Sequence, residues 1–431
     1  MGFFMRKKME FELYYNTTGI CTDTRNIQKN CLFICLTGDN FNGNDYAEVA
    51  LKNGAKYVIS DSTKNEQLEN VYIVENSLKY LQQLANYHRK KYNFPIIGIT
   101  GSNGKTTSKE LIYKVLQQKY RVLATEGNLN NHIGVPLTLL QLSNQHEIAI
   151  IEMGANKPGD IQELVDIAEP THCIITNIGK AHLEGFGSYA GVIKTKGEMY
   201  QYAANKKAII FYNDTDEVLK SILPKNTQTI PYSYELDCSL VKMTPYVSMS
   251  WKSNNYTSRI LETQMIGKYN YLNFIAAISI GKFFEVDNDK ISYAITDYTP
   301  TNNRSQVQKT EKNTLIMDAY NANPSSMKNA IESFDEMDHP NKLLILGDMF
   351  ELGEESKIEH QEIIKNITNK KLNCYFVGTL FNSEKQHIEN CLFFESKIGL
   401  IENIKSNSID NKLILLKASR GIGLEEIVKY L

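Results

Sequence analysis

The chain has 431 residues, with 47 Lys and Arg against 49 Asp and Glu, so its formal net charge is −2. At about 100–200 residues per domain, this length predicts two to four domains. The near-neutral balance argues against a broad nucleic-acid surface, and a hydrophobic content of 42% excludes a mainly disordered chain.

Compartment signals in the sequence favour a cytoplasmic protein. The seven cysteines are scattered and contain no C-x-x-C pair, which is typical of reduced thiols. The N-terminal segment carries charges, including the basic cluster Arg6–Lys8, where a signal peptide needs an unbroken apolar core. Arg6 also breaks the myristoylation pattern, and the longest apolar runs are far below the roughly 20 residues of a membrane span. We therefore expect a cytoplasmic protein with no membrane insertion and no nucleic-acid partner. We also expect a monomer, although no sequence pattern gives the oligomeric state.

The first segment, residues 1–92, predicts a small α/β domain. A polar, Gly- and Asn-rich loop over Thr37–Asp45 lies among its short apolar strands, and a long helix leads out of the segment towards Pro95. The predicted strands are Cys31–Leu36, Tyr57–Ser60 and Val71–Val74, and the predicted helices are Ala47–Asn53 and Leu78–Lys91.

From Phe94 onwards, apolar strands alternate with amphipathic helices. This alternation indicates βαβ units, so residues 93–299 predict a central domain built on a parallel sheet. Between Ile230 and Met265 the helical pattern vanishes, and we expect antiparallel hairpins added to that sheet. The strands are predicted at Phe94–Thr100, Val122–Thr125, Glu147–Met153, Cys173–Asn177 and Ala208–Tyr212, and the helices at Thr106–Lys119, Tyr269–Phe284 and Asn288–Asp297.

Residues 300–431 repeat the α/β rhythm and predict a doubly wound, Rossmann-like domain. No G-x-G-x-x-G follows its first strand, so NAD binding has little support. A last helix is predicted over Gly423–Leu431. The strands are predicted at Leu315–Ala319, Lys342–Leu346, Asn373–Val377, Cys391–Phe394 and Lys412–Leu416.

The strongest local signal is the sequence TGSNGKTT over Thr100–Thr107, between a predicted strand and a predicted helix. Its glycines let backbone N–H groups point at phosphate oxygens, and the helix N-terminus adds partial positive charge. Lys105 would reach the β/γ-phosphates, and the Thr106 hydroxyl would bind Mg²⁺. Ile99 stands where the full phosphate-loop pattern has Gly, and a Gly-rich turn capping a helix is the alternative interpretation.

Two further residues are predicted at the carboxyl edge of the central sheet. Glu152 ends an apolar strand, which places a hard oxygen ligand for Mg²⁺ where sites on such sheets form. His182 follows the next strand and reaches the same edge. By pattern alone, Glu152 is equally an ordinary strand-end carboxylate, and a lone histidine after a strand is more often structural.

Taken together, these residues resemble the Mur ligase family, the ATP-dependent amide ligases of bacterial cell-wall precursor synthesis. The resemblance covers nearly the whole chain, and the strings EMGAN, HLEGFGS and DAYNANP point to the member that joins D-alanyl-D-alanine to UDP-N-acetylmuramoyl-tripeptide. The strings that carry it are Thr22–Arg25, Phe41–Gly43, Thr100–Thr107, Asn128–Asn131, Ile133–Pro136, Glu152–Asn156, Ala181–Ser188, Asp318–Ser325, Leu346–Met349, Glu351–Gly353 and Lys417–Arg420.

The resemblance implies an ATP and Mg²⁺ site in which Lys105, Glu152, His182 and Lys196 are catalytic. One magnesium would be bound by Thr106 and Glu152 and a second by His182, and Lys196 matches the lysine that the family carbamylates. Adding CO₂ turns an ammonium, which repels Mg²⁺, into an anionic oxygen ligand. The residues implied to bind ATP are Thr100, Gly101, Ser102, Asn103, Gly104, Lys105, Thr106, Thr107, Asn270, Asn273, Arg304 and Asp318.

Without the resemblance, Lys196 reads as a solvated helix lysine, with Lys194 as its neighbour, and Asn270 as an ordinary polar helix residue. The first segment is implied to bind the uridine diphosphate end of the precursor, and Asn44 stands where the family often has His. The residues implied to bind the precursor or the incoming dipeptide are Thr22, Asp23, Thr24, Arg25, Thr37, Gly38, Asn42, Gly43, Asn130, Asn131, Tyr320, Asn321, Asn323, Ser326, Asp348 and Met349.

The implied reaction runs through an acyl phosphate, formed from ATP and the tripeptide carboxylate and then attacked by the amine of D-alanyl-D-alanine. A sibling ligase that adds the third amino acid and a folylpolyglutamate synthetase are the alternatives within the class. The DAYNANP string and the Leu346–Gly353 segment disfavour both. A phosphate-loop nucleotide switch is the alternative from another class, and it leaves the Thr22–Arg25 string and the His182 segment unexplained.

Overall fold

A computed structural model describes residues 11–233, 236–301 and 303–431 of the chain. The basic cluster Arg6–Lys8 and the charged start of the chain lie outside these residues. The fold divides into two compact units, each built from several stretches of sequence. The first unit runs up to Gly98 and includes Arg121–Gly154 and Asp160–Thr171, and the second comprises Ile99–Tyr120, Ala155–Gly159 and His172–Leu431.

The beginning of the first unit is a parallel four-stranded sheet, which fits the predicted α/β class; three of its strands were predicted, and Ile20–Cys21 was not. Apolar side chains such as Phe33 and Val58 fill its core. In sheet order its strands are Ile20–Cys21, Leu32–Ile34, Tyr57–Ser60 and Val71–Ile73. Its α-helices are Ala47–Lys52 and Ser77–Arg89, and its 3-10 turns are Thr24–Asn26, Gly43–Tyr46 and Thr63–Asn65.

The loop predicted over Thr37–Asp45 is not irregular throughout. It contains a small antiparallel hairpin in which Thr37–Gly38 pairs with Phe41–Asn42. Asp39 and Asn40 form the two-residue connection, and these residue types favour tight turns because their short polar side chains bond to nearby backbone.

The rest of the first unit contains two more strands, Val122–Ala124 and Ile148–Glu152, which pair in parallel. The helix Ser77–Arg89 packs against the helices Gly134–Leu139 and Asp160–Ala168. Glu152 is the last residue of its strand, so the prediction that it lies at the carboxyl end is confirmed.

The second unit begins with the end of the strand Ile96–Thr100 and a parallel set of strands, as predicted. The helix Lys105–Leu116 follows the first strand and packs against the two predicted helices, observed at Tyr271–Phe283 and Asn288–Asp297. The other parallel strands are His172–Ile175, Ile209–Tyr212 and Thr229–Pro231, and the other helices are Leu183–Phe186, Tyr189–Lys206, Glu217–Ser221 and the 3-10 turn Lys268–Asn270.

The antiparallel strands that follow do not extend the parallel sheet, so that prediction is wrong. They form a sheet of their own around Ser248–Ser253, where Trp251 is fully buried. The preceding parallel sheet ends on Thr229–Pro231, whose proline lacks the N–H that a further strand would need. The other strands of the separate sheet are Asp237–Lys242, Tyr256–Thr257 and Leu261–Glu262.

The last part of the second unit is the doubly wound sheet that the sequence predicts. Five of its strands are parallel, and the polar edge strand Gln306–Lys309, which the sequence pattern missed, is antiparallel. In sheet order the strands are Gln306–Lys309, Thr314–Met317, Leu413–Lys417, Lys342–Gly347, Cys374–Val377 and Cys391–Phe394. The helices are Pro324–Asp335, Ser356–Lys370, Thr379–Ser383 and Lys397–Ser406, with 3-10 turns at Gly353–Glu355 and Arg420–Ile422.

The predicted final α-helix is a 3-10 helix, Leu424–Tyr430. Leu424 and Ile427 are both fully buried, and a 3-10 helix aligns residues that are three apart. Within the described ranges, none of the helices combines the length and the apolar character that crossing a membrane requires.

Candidate active site

The phosphate loop, Thr100–Thr107, connects the buried strand Ile96–Thr100 to the helix Lys105–Leu116. Close contacts require two of its residues to be glycine. Gly101 has a φ of 146°, and a Cβ there would lie 2.0 Å from Thr176 Oγ1. Gly104 has a φ of 75°, and its Cβ would lie 2.9 Å from Asn273 Oδ1. Both positions therefore need glycine for the backbone angle and for space.

Residues that follow the strand His172–Ile175 hold the phosphate loop in place. Ser102 Oγ donates to Gly179 O at 3.0 Å and accepts from Gly179 N at 2.9 Å. Thr176 Oγ1 donates to Asn103 O at 2.6 Å, and Asn177 Nδ2 donates to the same oxygen at 2.9 Å. The loop is thus preorganised by the segment that leads to His182.

Lys105 is the first residue of the helix, and it is half-buried rather than part of a solvent-facing loop. Its Nζ donates to Gly101 O at 2.7 Å and to Ser102 O at 3.3 Å, so the charge lies over the loop. Thr106 and Thr107 are buried beside it. Lys105 and Thr106 thus begin the helix directly after the loop, and phosphate loops use a lysine, a hydroxyl residue and a helix N-terminus in this order.

Asn270 and Asn273 are buried and linked to each other behind the phosphate loop. Asn273 Nδ2 donates to Asn270 Oδ1 at 2.9 Å, and Asn273 Oδ1 accepts from Ser108 Oγ at 3.0 Å. Asn270 Nδ2 donates to Ile266 O at 2.7 Å. The interpretation of Asn270 as an ordinary polar helix residue does not fit this burial, since its amide connects two elements around the loop.

Arg304 and Tyr320, two residues predicted to contact different substrates, lie together. The Arg304 guanidinium lies 3.7 Å from the centre of the Tyr320 ring, a cation–π contact. Asp318 accepts from Lys417 Nζ at 2.6 Å and from Ser305 N at 3.3 Å. Lys417 is almost fully buried, so a carboxylate–ammonium pair fixes the strand end at which ribose contacts are expected.

The segment Tyr320–Ser326 reaches the phosphate loop through one side chain. Asn323 caps the helix Pro324–Asp335 through its Oδ1, and Ser326 completes the capping box. Asn323 Nδ2 donates to Asn103 Oδ1 at 2.8 Å. Asn321 Oδ1 accepts from Ala322 N at 2.9 Å and shapes the turn before the cap. The described contacts of Asn323 and Ser326 therefore build the backbone and connect it to the loop.

Asp348 and Met349 are both buried. The Asp348 carboxylate accepts from Leu380 N at 2.9 Å and from Phe381 N at 2.8 Å. Burial raises the pKa of Asp348, and the two backbone N–H groups and His360 oppose that rise. Met349 N donates to His360 Nε2 at 3.1 Å. In this structure both residues therefore shape the strand end, and a contact between them and the dipeptide stays a prediction.

In the first unit, Glu152 is buried at the end of its strand. Its Oε1 accepts from Asn130 Nδ2 at 2.8 Å, so two of the residues implied for the site, one for metal and one for substrate, lie in contact. Asn131 Oδ1 accepts from Gly134 N, the first residue of the helix Gly134–Leu139, at 2.9 Å. A buried, hydrogen-bonded carboxylate differs from an ordinary exposed strand-end acid, because burial of its charge needs a compensating partner.

His182 meets a carboxylate that the sequence did not place beside it. Its Nδ1 contacts Glu351 from the segment after the strand Lys342–Gly347, and this contact lowers the pKa of Glu351. The predicted position of His182 after the strand His172–Ile175 is confirmed.

The structure separates the two neighbouring lysines of the helix Tyr189–Lys206. Lys194 is exposed, whereas Lys196 is 2% exposed, so the interpretation of Lys196 as a solvated lysine is wrong. Lys196 Nζ lies 5.6 Å from the centre of the Phe186 ring, and that ring also packs edge-on against His182. Lys196 is thereby placed in the surroundings of His182.

The Thr22–Arg25 string in the first unit is more exposed than the phosphate loop. Arg25 Nη2 lies 2.6 Å from Asp23 Oδ2, and the hydrogen bond from Arg25 lowers the pKa of Asp23 to about 2. Thr22 and Thr24 are partly exposed beside this pair. An ion pair in water contributes little stability, so Arg25 can exchange its carboxylate for another anion at low cost.

The hairpin that follows is held by Asn44, whose importance the sequence did not reveal. The buried Asn44 side chain donates to Asp61 at 2.7 Å and to Asn42 at 3.0 Å, and it accepts from Ser60 Oγ at 2.7 Å. Thr37 Oγ1 donates to Asn42 Oδ1 at 3.2 Å, while Gly38 is exposed. A Cβ at Gly43 would lie 2.5 Å from Leu36 O, so this turn requires glycine.

Sequence reasoning missed three acid–base pairs of the second unit. Lys180 Nζ contacts Glu359 at 2.5 Å, Lys417 pairs with Asp318, and Glu351 contacts His182. Lys417 and Glu351 belong to two of the motif strings, but the strings assign no partner to either residue. An acid and a base far apart in sequence give no periodic signal, so only the fold reveals such pairs.

The chain matches three family models over nearly its whole length. These are the Mur ligase family catalytic domain over residues 16–91, the Mur ligase middle domain over 99–281, and the Mur ligase glutamate ligase domain over 303–420. They agree with the α/β fold of parallel sheets that the sequence predicts.

Full-length relatives carry one printed name. UDP-N-acetylmuramoyl-tripeptide--D-alanyl-D-alanine ligase of Bacillus subtilis is 35% identical, over 96% of this chain and 93% of that protein. The ligase of the same name from Buchnera aphidicola is 34% identical, over 96% and 92%. A crystal structure of MurF from Acinetobacter baumannii has a TM-score of 0.86 at 24% identity, over 98% of this chain and 97% of that one.

Proposed function

The chain belongs to the Mur ligase family, and we propose that it joins D-alanyl-D-alanine to UDP-N-acetylmuramoyl-tripeptide at the expense of ATP. The observation that carries this proposal is the 35% identity, over 96% of the chain, to a ligase of that printed name. The products would be the UDP-linked pentapeptide, ADP and phosphate. The location would be the cytoplasm.

The reaction that we propose has two steps. The tripeptide carboxylate attacks the γ-phosphate of ATP, which gives an acyl phosphate and releases ADP. The amine of D-alanyl-D-alanine then attacks the acyl carbon, loses a proton, and displaces phosphate. Two anions meet in the first step, so positive groups held in advance at the phosphate loop lower its barrier.

The chain's own residues support the first step. The Lys105 ammonium is already directed over the loop by Gly101 O and Ser102 O, where it would exchange these carbonyls for phosphate oxygens. The loop backbone is fixed by Ser102, Thr176 and Asn177, so little ordering remains to be done when nucleotide binds. Holding reactants in a preformed geometry is a large part of such catalysis.

The proposed ligands are mostly the oxygen donors that magnesium prefers. In the second unit they are the Thr106 hydroxyl and, if Lys196 is modified, a carbamate oxygen, together with the His182 imidazole. In the first unit the donor is the Glu152 carboxylate. The described residues hold no group of three or more His, Cys, Asp or Glu that would bind a metal alone, and magnesium usually takes part of its ligands from substrate phosphates. When bound, the ion would neutralise charge on the meeting anions.

Product analysis by mass spectrometry tests the proposal. The enzyme is incubated with ATP, D-alanyl-D-alanine and UDP-tripeptide ending in either lysine or meso-diaminopimelate, and the pentapeptide mass is sought with each. Phosphate release should stay low until both the tripeptide and the dipeptide are present.

The alternatives give different outcomes in the same assay. Product from a UDP-dipeptide and a free third amino acid would identify the sibling ligase, and product from a folate and glutamate would identify the folylpolyglutamate synthetase. Steady ATP turnover without either acceptor would favour a nucleotide switch. Each of these outcomes would contradict the proposal.

A further inference from the structure

Glu351 lies where it can govern His182. The carboxylate of Glu351 contacts Nδ1 of the imidazole, and the backbone of the same residue accepts from Glu184 N at 3.1 Å. Gly353, two residues on, also packs beside Glu184, since a Cβ there would lie in ordinary van der Waals contact, 3.4 Å from Glu184 Cα. The turn Glu351–Gly353 is therefore seated on the His182 turn by both backbone and side chain.

Both partners hold an unusual backbone conformation. His182 has a φ of 52° and Glu351 has a φ of 63°, in the left-handed region that residues other than glycine seldom adopt. Such angles persist where the surrounding structure determines them, and they concentrate at functional sites. Here they turn two side chains from distant parts of the sequence towards each other.

We propose that Glu351 is a positioning residue that sets the ring orientation and tautomer of His182. A carboxylate facing Nδ1 favours the hydrogen on that nitrogen, which leaves the lone pair of Nε2 available to a metal ion. Metal-binding histidines usually have such an acidic partner on the other nitrogen. The inference rests on the proposed function, in which His182 serves the magnesium site.

A neighbouring ion pair shows that the two segments are also joined without the imidazole, so attaching the segments and positioning the His182 ring are different roles. Lys180, two residues before His182, contacts Glu359 at 2.5 Å and Glu355 at 3.7 Å. This pair attaches the same two segments without touching the imidazole. Loss of Glu359 therefore loosens the attachment, whereas loss of Glu351 removes the partner of the ring.

The test compares Glu351→Gly, Glu351→Ala and Glu351→Gln with the matched control Glu354→Ala, which removes an exposed acid from the adjoining 3-10 turn Gly353–Glu355. Glu351→Gly removes the carboxylate and relieves the left-handed angle, so this variant is expected to fold. Glu351→Gln keeps an oxygen that can accept from Nδ1–H, and it should retain part of the effect.

Two readouts do not depend on turnover. Nitrogen-15 spectra of histidine-labelled, metal-free enzyme report the tautomer of His182, whose signal is assigned by its loss in His182→Gln. Mn²⁺ titration followed by electron paramagnetic resonance, with ADP present, reports metal affinity. We expect Glu351→Gly and Glu351→Ala to lose the fixed Nδ1–H tautomer and to bind Mn²⁺ about 10- to 100-fold more weakly.

Kinetics complete the test. In Glu351→Gly, kcat should fall by a similar factor while the KM for the UDP substrate stays unchanged, and Glu354→Ala should match wild type. If the Glu351 variants keep the wild-type ring signal and Mn²⁺ affinity, the inference is overturned. If wild-type enzyme forms no ligation product, the proposed function fails, yet the ring spectrum still decides whether Glu351 sets the tautomer.

Discussion

Two regions of the molecule differ in how they hold their functional side chains. The phosphate-loop region, Thr100–Thr107 with Thr176–Gly179, is mostly buried, and side chains hydrogen-bond to its backbone at several points. The recognition region, Thr22–Arg25 with Thr37–Gly43, is largely exposed, and its charged pair, Asp23 and Arg25, is open to water.

This difference follows from the tasks proposed for the two regions. A transition state gains from groups that are already in place, because reorganisation during the reaction would add to the barrier. Side chains on an exposed binding surface can exchange a polar partner for a ligand, since the ion pairs that they lose are screened by water and contribute little stability. Changes in the phosphate-loop region should therefore act on kcat, and changes in the recognition region on KM.

The largest effect is expected for Lys105→Ala. The variant should lose ligation by about 1,000-fold or more, because the ammonium over the phosphate loop is removed from the transition state. Phosphate release and product mass measure this loss. The fold should persist, with a melting curve close to wild type, since hydrogen bonds from Ser102, Thr176 and Asn177 hold the loop without Lys105.

Lys114→Ala is the matched control, because it removes a half-buried lysine from the same helix away from the loop. It should ligate at close to the wild-type rate. Near wild-type product formation by Lys105→Ala would remove the reason for treating the phosphate-loop region as the catalytic one.

Lys196→Ala is expected to come next, with a loss of about 100-fold. If Lys196 carries a carbamate, added acetate or formate should restore part of the activity by supplying an anion in the vacated space. Lys196→Arg keeps the positive charge but forms no carbamate, so it should stay inactive and resist rescue. Initial rates with and without the added anion are the measurement.

Lys194→Ala is the control for this experiment, because Lys194 is exposed two residues away on the same helix. It should be nearly active throughout. Full activity of Lys196→Arg would mean that positive charge suffices at this buried position, and the carbamate would be excluded.

Much of the fold could be predicted because its signals are local. The strands Tyr57–Ser60 and Cys391–Phe394 and the helix Asn288–Asp297 lie where their apolar patterns place them. The hairpins after residue 230 were assigned to the wrong sheet. Strand pairing between distant segments leaves little trace in hydrophobic periodicity. Pro231 explains why the parallel sheet stops at its strand, but only after the sheet order is known.

The site divides in the same way. Glu152 and His182 could be placed at strand ends, since that position follows from the strand pattern itself. The contact of Glu351 with His182 and the role of Asn44 in its hairpin could not, because both depend on side chains brought together by tertiary structure. The burial of Lys196 could not be predicted either, because the sequence pattern does not distinguish this lysine from the exposed Lys194 two residues earlier.

A smaller effect, on binding rather than on turnover, is expected for Arg25→Ala. The KM for the UDP substrate should rise by about 10-fold while kcat changes little, because an exposed charge-assisted contact is lost. Arg121→Ala, which removes another exposed and acid-paired arginine of the same unit, should leave both constants unchanged. A fall in kcat with KM unmoved would show that the recognition region takes part in the chemistry.

The last prediction concerns stability and leaves activity aside. His172 begins the strand before Thr176–Gly179, and burial near Phe211, Phe283 and Phe284 lowers its pKa from 6.5 to about 4. Since the folded pKa lies below the unfolded one, its stabilising contribution is complete above pH 6.5 and is lost as the pH falls towards 4. Asp23, whose pKa falls from 3.8 to about 2, changes its contribution only below that window. Urea unfolding of His172→Phe should therefore show a pH dependence between 4 and 6.5 that is flatter than that of wild type by at most about 3 kcal/mol. Asp23→Asn should run parallel to wild type over the same range, and a flattened curve for this variant instead would place the titrating group in the exposed recognition region.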